Sequence, residues 1–264
     1  MTSLQGKNIL VTRPAGQADD LIASIAAAGG LAIHCPVIEI VALADSDNKH
    51  KQQCKQQFME LDRFQHVIFI STNAVKFGLQ WIDQYWPQLP IDIHWHGIGR
   101  STTELLRDEG IPVNDKDAFG AMNSEALLLQ PDLQQLSDQK VLIVRGVGGR
   151  DHLQQVLQQR QARVEYAECY RREIAQPSTD LAQQILRNGI NTVCLNSGES
   201  VENFCQLAGS HQSPLIRGLL VVVPGDRVAE IARGKGFERV ICADNASNQA
   251  MIAAIGEENQ PVVS

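Results

Sequence analysis

Aromatic residues are scarce in this sequence and basic residues do not cluster, and both shortages exclude classes of function. Phe, Trp and Tyr make up 5% of the 264 residues, too few for a surface that stacks the bases of single-stranded nucleic acid. The formal net charge is −7 and the Lys and Arg residues are scattered, so no basic face for DNA or for a membrane surface is expected. We predict that neither nucleic acid nor a membrane is a partner.

Targeting signals, long apolar runs and metal-binding cysteine patterns are also missing. The start, MTSLQGKNILV, has no charged segment followed by an apolar one, so no signal peptide is expected, and no apolar run approaches the length of a membrane span. The six cysteines show no CxxC or Cys/His spacing. Four of them lie inside apolar runs, where a cysteine behaves as a small hydrophobic residue: Cys35, Cys169, Cys194 and Cys242. These features predict a cytoplasmic protein with reduced thiols and no metal site.

Short β-branched runs alternate with amphipathic segments along the whole chain. Strands are predicted near residues 8–12, 32–40, 67–71, 96–99, 141–145, 163–171, 192–197, 219–224 and 239–243. Helices are predicted near residues 17–28, 73–83, 102–109, 151–160, 201–208, 227–235 and 247–255. Strands such as VIFI and LLVVV are apolar throughout, which is typical of parallel sheets covered by helices on both faces. Length and alternation together predict an α/β protein of two domains with a ligand cleft between them, a polar linker entering a solvated helix at 44–57, and a mobile loop at 114–123.

Several short motifs recur at a constant offset. Segments beginning at Ser71 and Gly99 match segments beginning at Ser197 and Gly225, both 126 residues further on. A third pair, around Arg13 and Arg145, matches at an offset of 132 residues. Three matches indicate a duplicated α/β unit. The alternative is that βα units resemble one another without any duplication.

Small, hydroxylated or cationic residues occur where predicted strands end and helices begin. Parallel sheets bind ligands at the carboxyl ends of their strands, where helix N-termini present free N–H groups. These residues therefore form a candidate anion-binding surface, although helix capping alone would explain a serine or threonine at any single position. The set is Arg13, Ser71, Thr72, Gly99, Thr102, Arg145, Gly146, Ser197, Gly198 and Gly225.

The usual signatures of cofactor and nucleophilic enzymes are missing. Gly146 to Gly149 follow a predicted strand, but their spacing is not GxGxxG, and the sequence has no Walker A loop, HExxH or GxSxG. His94 and His96 are predicted to face one side of a strand. No nucleophile–base pair is evident, so an enzyme with this sequence would act by positioning a reactive substrate.

The motifs in combination resemble those of the uroporphyrinogen-III synthase family, over nearly the whole chain and in the right order. They are ILVTRP ending at Pro14, VIFISTNAV ending at Val75, GIG ending at Gly99 and followed by Thr102, VLIVRG ending at Gly146, and the segment from Val164 to Arg172 that contains Cys-Tyr170-Arg-Arg. Each motif is short and degenerate, and the combination is much more specific than any part.

The resemblance implies two flavodoxin-like parallel-sheet domains joined by a two-stranded connector. One domain is then discontinuous, 1–37 with 173–264, the other is inserted at 41–169, and the connectors lie near 36–40 and 170–174. The implied reaction of this lyase is dehydration and ring closure of the linear tetrapyrrole hydroxymethylbilane, with inversion of the last ring, to uroporphyrinogen III, in heme and siroheme biosynthesis. No cofactor or metal is implied. A monomer, and a transient contact with the preceding pathway enzyme, are further expectations.

The resemblance also implies residue roles. Tyr170 matches the tyrosine that assists departure of the substrate hydroxyl, and a structural role in packing is its alternative. Thr102 matches the family's threonine after the glycine turn. The threonine-rich stretch that many members have after Gly225 is replaced here by Asp226-Arg227-Val228, and Arg227 is the substitute that the sequence offers.

Two other functions stay open from the residues alone. The first is a non-catalytic two-domain protein that binds or senses a small anionic ligand; the missing signal peptide speaks against a periplasmic binder. The second is a nucleotide or flavin enzyme, which rests only on the α/β pattern and the poor glycine loop.

Overall fold

In the computed structural model of this protein, apolar strands form two folded units. Most of these strands are followed by an amphipathic helix. The structure describes residues 3–113, 124–149, 151–209 and 213–258, and the predicted loop at 114–123 lies outside them. Unit 1 comprises residues 1–39 and 173–264, and unit 2 comprises residues 40–172. Among the helices described, none combines the length and apolar character that crossing a bilayer requires.

The helices and strands follow in this chain order: β1 (Asn8–Val11), α1 (Asp19–Ala27), β2 (Leu31–His34), β3 (Ile38–Ala42), α2 (Asn48–Met59), β4 (His66–Phe69), α3 (Thr72–Tyr85), β5 (His94–Gly97), α4 (Arg100–Asp108), α5 (Ser124–Leu127), β6 (Lys140–Gly146), α6 (His152–Gln159), β7 (Arg163–Ile174), α7 (Leu181–Arg187), β8 (Thr192–Cys194), α8 (Gly198–Leu207), α9 (Pro214–Arg217), β9 (Leu220–Pro224), α10 (Asp226–Gly234), β10 (Arg239–Ala243) and α11 (Asn248–Glu257). The boundaries between the two units fall within β3 and β7.

Each unit contains one sheet with the strand order of a flavodoxin-like fold. In unit 1 the order is β10-β9-β8-β1-β2 and all neighbouring pairs are parallel. When the five strands are numbered 1 to 5 in chain order and the sheet is read from β2, this is the 2-1-3-4-5 order of doubly wound sheets. The second sheet has the order β3-β7-β6-β4-β5, with parallel pairs from β7 to β5, which is the same order when β4 is counted first and β3 last. The predicted fold class is confirmed.

Helices on both faces of the sheet explain the continuous apolar runs. In unit 2, Val67 and Phe69 belong to one hydrophobic cluster with Val144, whereas Ile68 and Ile143 belong to a second cluster. Successive side chains of a strand point to opposite faces, so the two clusters lie on opposite faces of the sheet. Burying each such side chain contributes roughly 1.5–3 kcal/mol, which favours apolar residues on both faces.

The internal repeat does not mark equivalent positions in the two sheets, so its interpretation as a duplicated unit in register is wrong. The offset of 126 residues relates β4 and β5 to β8 and β9. Counted as above, β4 and β5 hold the first and second positions of their sheet, whereas β8 and β9 hold the third and fourth. The matching motifs reflect the same local requirement, a small or capping residue between strand and helix.

Three further details differ from the sequence prediction. The predicted strand at 32–40 is divided at Cys35-Pro36, because proline has no N–H to donate to a ladder. The polar segment at 44–57 is largely α2, which buries Cys54 and Phe58 despite its charged surface. Cys242 was expected inside the core and is exposed, since it lies on β10 at the edge of its sheet.

Alkylation of the native protein with iodoacetamide at mildly basic pH is expected to modify Cys242 alone. The other five cysteines are buried, and burial raises the pKa of the thiol at four of them, to about 12 at Cys194. Partial burial and then Asp226 also raise the pKa of Cys242, so its reaction will be slow. Intact mass and peptide mapping report the adducts, and urea-unfolded protein should accept six. More than one adduct on folded protein would contradict the burial described here.

Candidate functional site

Four of the predicted residues lie at the switch points of the two sheets. In doubly wound sheets the ligand crevice opens at the carboxyl ends of the two strands where the winding direction reverses. In unit 1 these strands are β1 and β8, followed by Arg13 and Ser197. In unit 2 they are β4 and β6; Ser71 follows the first and Gly146 ends the second. The switch points therefore coincide with four of the residues selected from the sequence.

The hydroxyl oxygens of Tyr170 and Ser71 lie 3.1 Å apart at the switch point of unit 2. Ser71 is the N-cap of α3, which begins at Thr72, and its Oγ accepts a hydrogen bond from the Ala74 N–H at 3.1 Å. The Tyr170 ring is fully buried and stacks on Phe77, with ring centroids 5.3 Å apart. The Tyr170 hydroxyl is thus linked through one side chain to the N-terminus of a helix.

Gly146 leaves the space that the Tyr170 ring occupies. A register shift between Arg145 and Gly146 brings Gly146 opposite Tyr170 in the ladder. A Cβ atom on residue 146 would lie 2.6 Å from Cε2 and 2.9 Å from Cζ of the tyrosine ring, well inside the contact distance of two carbon atoms. Gly146 therefore has a packing role: it leaves space for the Tyr170 ring.

The Arg145 guanidinium is engaged by the loop that follows its own strand. It is 3% exposed and donates to the carbonyl oxygens of Gly146 and Gly148. It also lies 3.4 Å from an Asp151 carboxylate oxygen and 4.4 Å from the centroid of the Tyr166 ring. These contacts assign Arg145 to ordering the loop, which sequence reasoning did not anticipate.

A cavity of about 540 Å³ lies beside this loop, and all its lining residues belong to unit 2. Ile70 and Ile98 give it an apolar wall next to the ends of β4 and β5. Sequence reasoning missed two cationic or titratable side chains there, His152 and Arg172, although the motif around Tyr170 contains Arg172. The polar part of the lining consists of Ser124, Glu125, Arg145, Gly148, Gly149, His152 and Arg172.

Arg13 in unit 1 is held by the segment that precedes α11. Its guanidinium donates to Asn248 Oδ1 at 2.6 Å and to the Ala246 carbonyl oxygen at 2.8 Å. Partial burial lowers the pKa of Arg13 from its usual value, which still leaves the side chain charged at neutral pH. Arg13 therefore brings a desolvated positive charge to the carboxyl end of β1.

Ser197 caps α8 in the way that Ser71 caps α3. Its Oγ accepts from the Ser200 N–H at 3.1 Å, and Ser200 Oγ accepts in return from the Ser197 N–H at 2.9 Å. The next residue, Gly198, packs against Ile231, because a Cβ atom there would lie 2.8 Å from Ile231 Cδ1 and the isoleucine side chain would have to shift. Capping and packing thus account for both residues, and the first N–H groups of α8 remain at the strand end.

Glycine residues precede α4 and α10 for the same backbone reason. Gly99 and Gly225 are the N-caps of these helices with φ of 83° and 82°, values that favour glycine. The polar groups that follow differ: Thr102 is 4% exposed, whereas Arg227 is exposed in the first turn of α10. The two turns therefore share a shape and present different chemistry.

A cluster that sequence reasoning missed involves the first residue of β4 and the third residue of β5. His66, His96 and Asp132 each offer one ligand atom, and these atoms lie within 4.8 Å of one another. His94, two residues before His96, is also near Asp132, which agrees with the prediction that His94 and His96 face one side of a strand. In the sequence, the His-x-His spacing of His94 and His96 was the one indication of this cluster. No local pattern connects that spacing with His66 or Asp132.

The chain is similar in sequence to uroporphyrinogen-III synthases. A family model described as Uroporphyrinogen-III synthase HemD matches residues 19–253. The uroporphyrinogen-III synthase of Salmonella typhimurium is 32% identical, in an alignment that covers 94% of this chain and 99% of that protein. The enzyme of Escherichia coli is 30% identical with the same coverage.

Solved structures with these names share the fold. The uroporphyrinogen-III synthetase of Helicobacter pylori aligns with a TM-score of 0.56 at 15% identity, covering 94% of this chain and 97% of that one. A mutant uroporphyrinogen III synthase of Thermus thermophilus aligns with a TM-score of 0.55 at 13% identity, covering 94% and 96%. At such identities the structural likeness establishes the fold alone.

Proposed function

This chain belongs to the uroporphyrinogen-III synthase family, and from that membership we propose how its residues carry out the family's reaction, the cyclisation of hydroxymethylbilane to uroporphyrinogen III. The chain is accordingly a lyase of tetrapyrrole biosynthesis, and the non-catalytic binding alternative is not favoured. We further propose that the two compact units are the family's domains and that β3 and β7 contain the connectors.

The substrate's carboxylates are bound, in this proposal, by helix N-termini at the strand ends. Hydroxymethylbilane has eight carboxylates, and the net charge of −7 repels them at long range, so local donors must bind them. The first turns of α3, α4, α8 and α10 offer N–H groups and the positive end of a helix dipole. Arg13 and Arg227 add positive charge at two of the strand ends in unit 1.

In this proposal Arg145 and Arg172 have different roles in unit 2. Arg145 is buried against the carbonyl groups of its own loop, so we assign it to shaping the cavity wall. Arg172 is exposed and lines the same cavity, so we assign it to a substrate carboxylate, for which a guanidinium is well suited. This assignment replaces direct binding by Arg145 with binding by a neighbour that the sequence prediction passed over.

The pair of hydroxyls formed by Tyr170 and Ser71 is the observation that carries the chemical proposal. Ser71 Oγ accepts from the Ala74 N–H, and either hydroxyl can donate across the 3.1 Å contact between Ser71 and Tyr170. In the proposed arrangement the Ser71 O–H donates to the Tyr170 oxygen, so that the Tyr170 O–H donates to the substrate. Each donor polarises the next, which strengthens the last hydrogen bond of the chain. In the proposed step, that bond goes to the hydroxyl of the substrate as its C–O bond breaks.

Orientation supplies the remaining catalysis. Departure of the hydroxyl leaves an azafulvene, and the substituted carbon of the last ring attacks it to form a spiro species that rearranges to the inverted ring. The intermediate is reactive by itself, so the protein needs only to hold it in the orientation that leads to this attack. The Tyr170 hydroxyl must then be within about 2.5–3.0 Å of the departing oxygen, and whatever covers Tyr170 here has to move for the reaction.

Analysis of the product isomers tests the function directly. Purified protein is incubated with hydroxymethylbilane, the products are oxidised to porphyrins, and the isomers are separated. We expect mainly isomer III, because substrate that closes without the enzyme gives isomer I. The same incubation with heat-inactivated protein measures the uncatalysed background. A product no richer in isomer III than this background would overturn the function.

We also propose a cytoplasmic monomer that contacts the preceding enzyme transiently. Free hydroxymethylbilane closes spontaneously to the wrong isomer, so short exposure to solvent favours the correct product. The spontaneous closure of the substrate supports the transient contact, and the sequence without a predicted signal peptide supports the cytoplasmic location.

A further inference from the structure

Two buried histidines and an aspartate form a polar cluster that the reaction does not use. His66 begins β4, His96 lies in β5, and Asp132 lies in the 3-10 turn Pro131–Leu133. Both histidines are almost completely buried, and the Asp132 side chain is 28% exposed. His66 begins β4, whereas Ser71 follows the carboxyl end of that strand, so His66 and Ser71 lie at opposite ends of β4. The cluster therefore needs an explanation apart from substrate binding.

The three ligand atoms have nearly the spacing of a tetrahedral metal site. His66 Nδ1 lies 3.1 Å from His96 Nε2, and His96 Nε2 lies 3.8 Å from Asp132 Oδ2. Zinc bound at about 2.0–2.1 Å from each ligand in a tetrahedron separates neighbouring ligand atoms by about 3.3 Å. The first distance already fits, and the second needs a shift of about half an ångström by a side chain on a turn. The remaining pair, His66 and Asp132, lies within 4.8 Å, so the same movement of Asp132 must also bring it toward His66.

Two glutamines orient the histidines as second-shell partners orient metal ligands. His66 Nε2 lies 2.7 Å from Gln139 Oε1, and His96 Nδ1 lies 3.1 Å from Gln130 Oε1. An amide oxygen only accepts, so these contacts favour protons on the two outer nitrogens. His66 Nδ1 and His96 Nε2 then face each other across 3.1 Å, where a cation bound by both replaces the contact between the rings.

A negative charge beside the two rings suits a cation. Asp132 supplies the negative charge, and His94 Nδ1, on a half-exposed ring, lies 3.8 Å from Asp132 Oδ2 on the open side.

We propose that His66 Nδ1, His96 Nε2 and Asp132 bind a divalent cation of the zinc class, with the fourth position directed toward His94. Nitrogen-rich ligand sets favour Zn²⁺ over Mg²⁺ or Ca²⁺, which prefer oxygen. The ion joins the turn at 131–133 to β4 and β5, so its role is structural. The proposal is independent of the reaction at the other end of β4.

Metal titration of the chelator-treated, tag-free protein tests this site. Co²⁺ is expected to bind one ion per chain with the strong visible bands of tetrahedral coordination, and Zn²⁺ to displace it. Asp132→Asn should weaken Zn²⁺ binding at least tenfold, whereas Asp138→Asn, a matched change at an exposed aspartate of the same connection, should leave it unchanged. Absence of saturable binding, or equal affinity in Asp132→Asn, would overturn the proposal.

Histidine ring NMR gives a second measurement that needs no variant. Without metal, the protons are expected on His66 Nε2 and His96 Nδ1. Zn²⁺ should then shift the resonances of His66 Nδ1 and His96 Nε2 selectively. Shifts confined to His34, His50 or His152 would place the ion elsewhere and refute the assignment. Neither measurement reads enzymatic activity, so its result is separate from that of the isomer experiment.

Discussion

Phenylalanine in place of Tyr170 is expected to lower kcat for hydroxymethylbilane by about 10²-fold or more, the usual contribution of a positioned proton donor. The substitution keeps the ring that stacks on Phe77 and removes only the hydroxyl that meets Ser71. The loss of one hydrogen bond costs about 1 kcal/mol of folding free energy, so the variant should remain folded. Stopped assays give kcat and KM separately, and we expect the change in kcat.

Tyr85→Phe is the matched control for this experiment. It makes the same chemical change in the last turn of α3, at the opposite end of that helix from Ser71, and should leave kcat unaltered. Thermal unfolding of both variants checks that the fold is intact. If Tyr170→Phe turns over at the wild-type rate, the hydroxyl has only a packing role and the proposed donation to the leaving group is wrong.

Alanine in place of Gly146 is expected to destabilise the protein by about 2–3 kcal/mol, the upper part of the range for overpacking. The added Cβ would lie 2.6 Å from the Tyr170 ring, which cannot retreat easily because it is fully buried and stacked on Phe77. Urea unfolding monitored by circular dichroism measures the change. Activity should fall as well, since relief of the overlap displaces the Tyr170 hydroxyl from Ser71.

Gly234→Ala tests whether this cost comes from the overlap. A Cβ on Gly234 meets nothing within 4 Å, and alanine at a helical position is neutral or stabilises by up to about 1 kcal/mol. A Gly146→Ala protein as stable as wild type would show that the ring and strand β6 are not in the contact described here.

Local features of the fold could be predicted from sequence because their causes are local. The apolar runs at Val67 and Val141 predict strands covered on both faces, and the structure buries them in that way. Helix capping is the alternative that the sequence offers for Ser71 and Ser197, and both serines cap a helix, which requires only the next three residues of the chain. The exposure of Cys242 was mispredicted, because it depends on which strand lies at the edge of a sheet.

The sequence by itself therefore determined the α/β class, the family and the residues at the strand ends, since these follow from short-range patterns of polarity and capping. Only the tertiary structure decided which of those residues meet. Tyr170 and Ser71 are 99 residues apart in the chain, and Arg145 is turned into its own loop by contacts with Asp151 and Tyr166. The cluster of His66, His96 and Asp132 likewise depends on the pairing of β4 with β5. Such contacts arise from strand order and side-chain packing, which no local pattern contains.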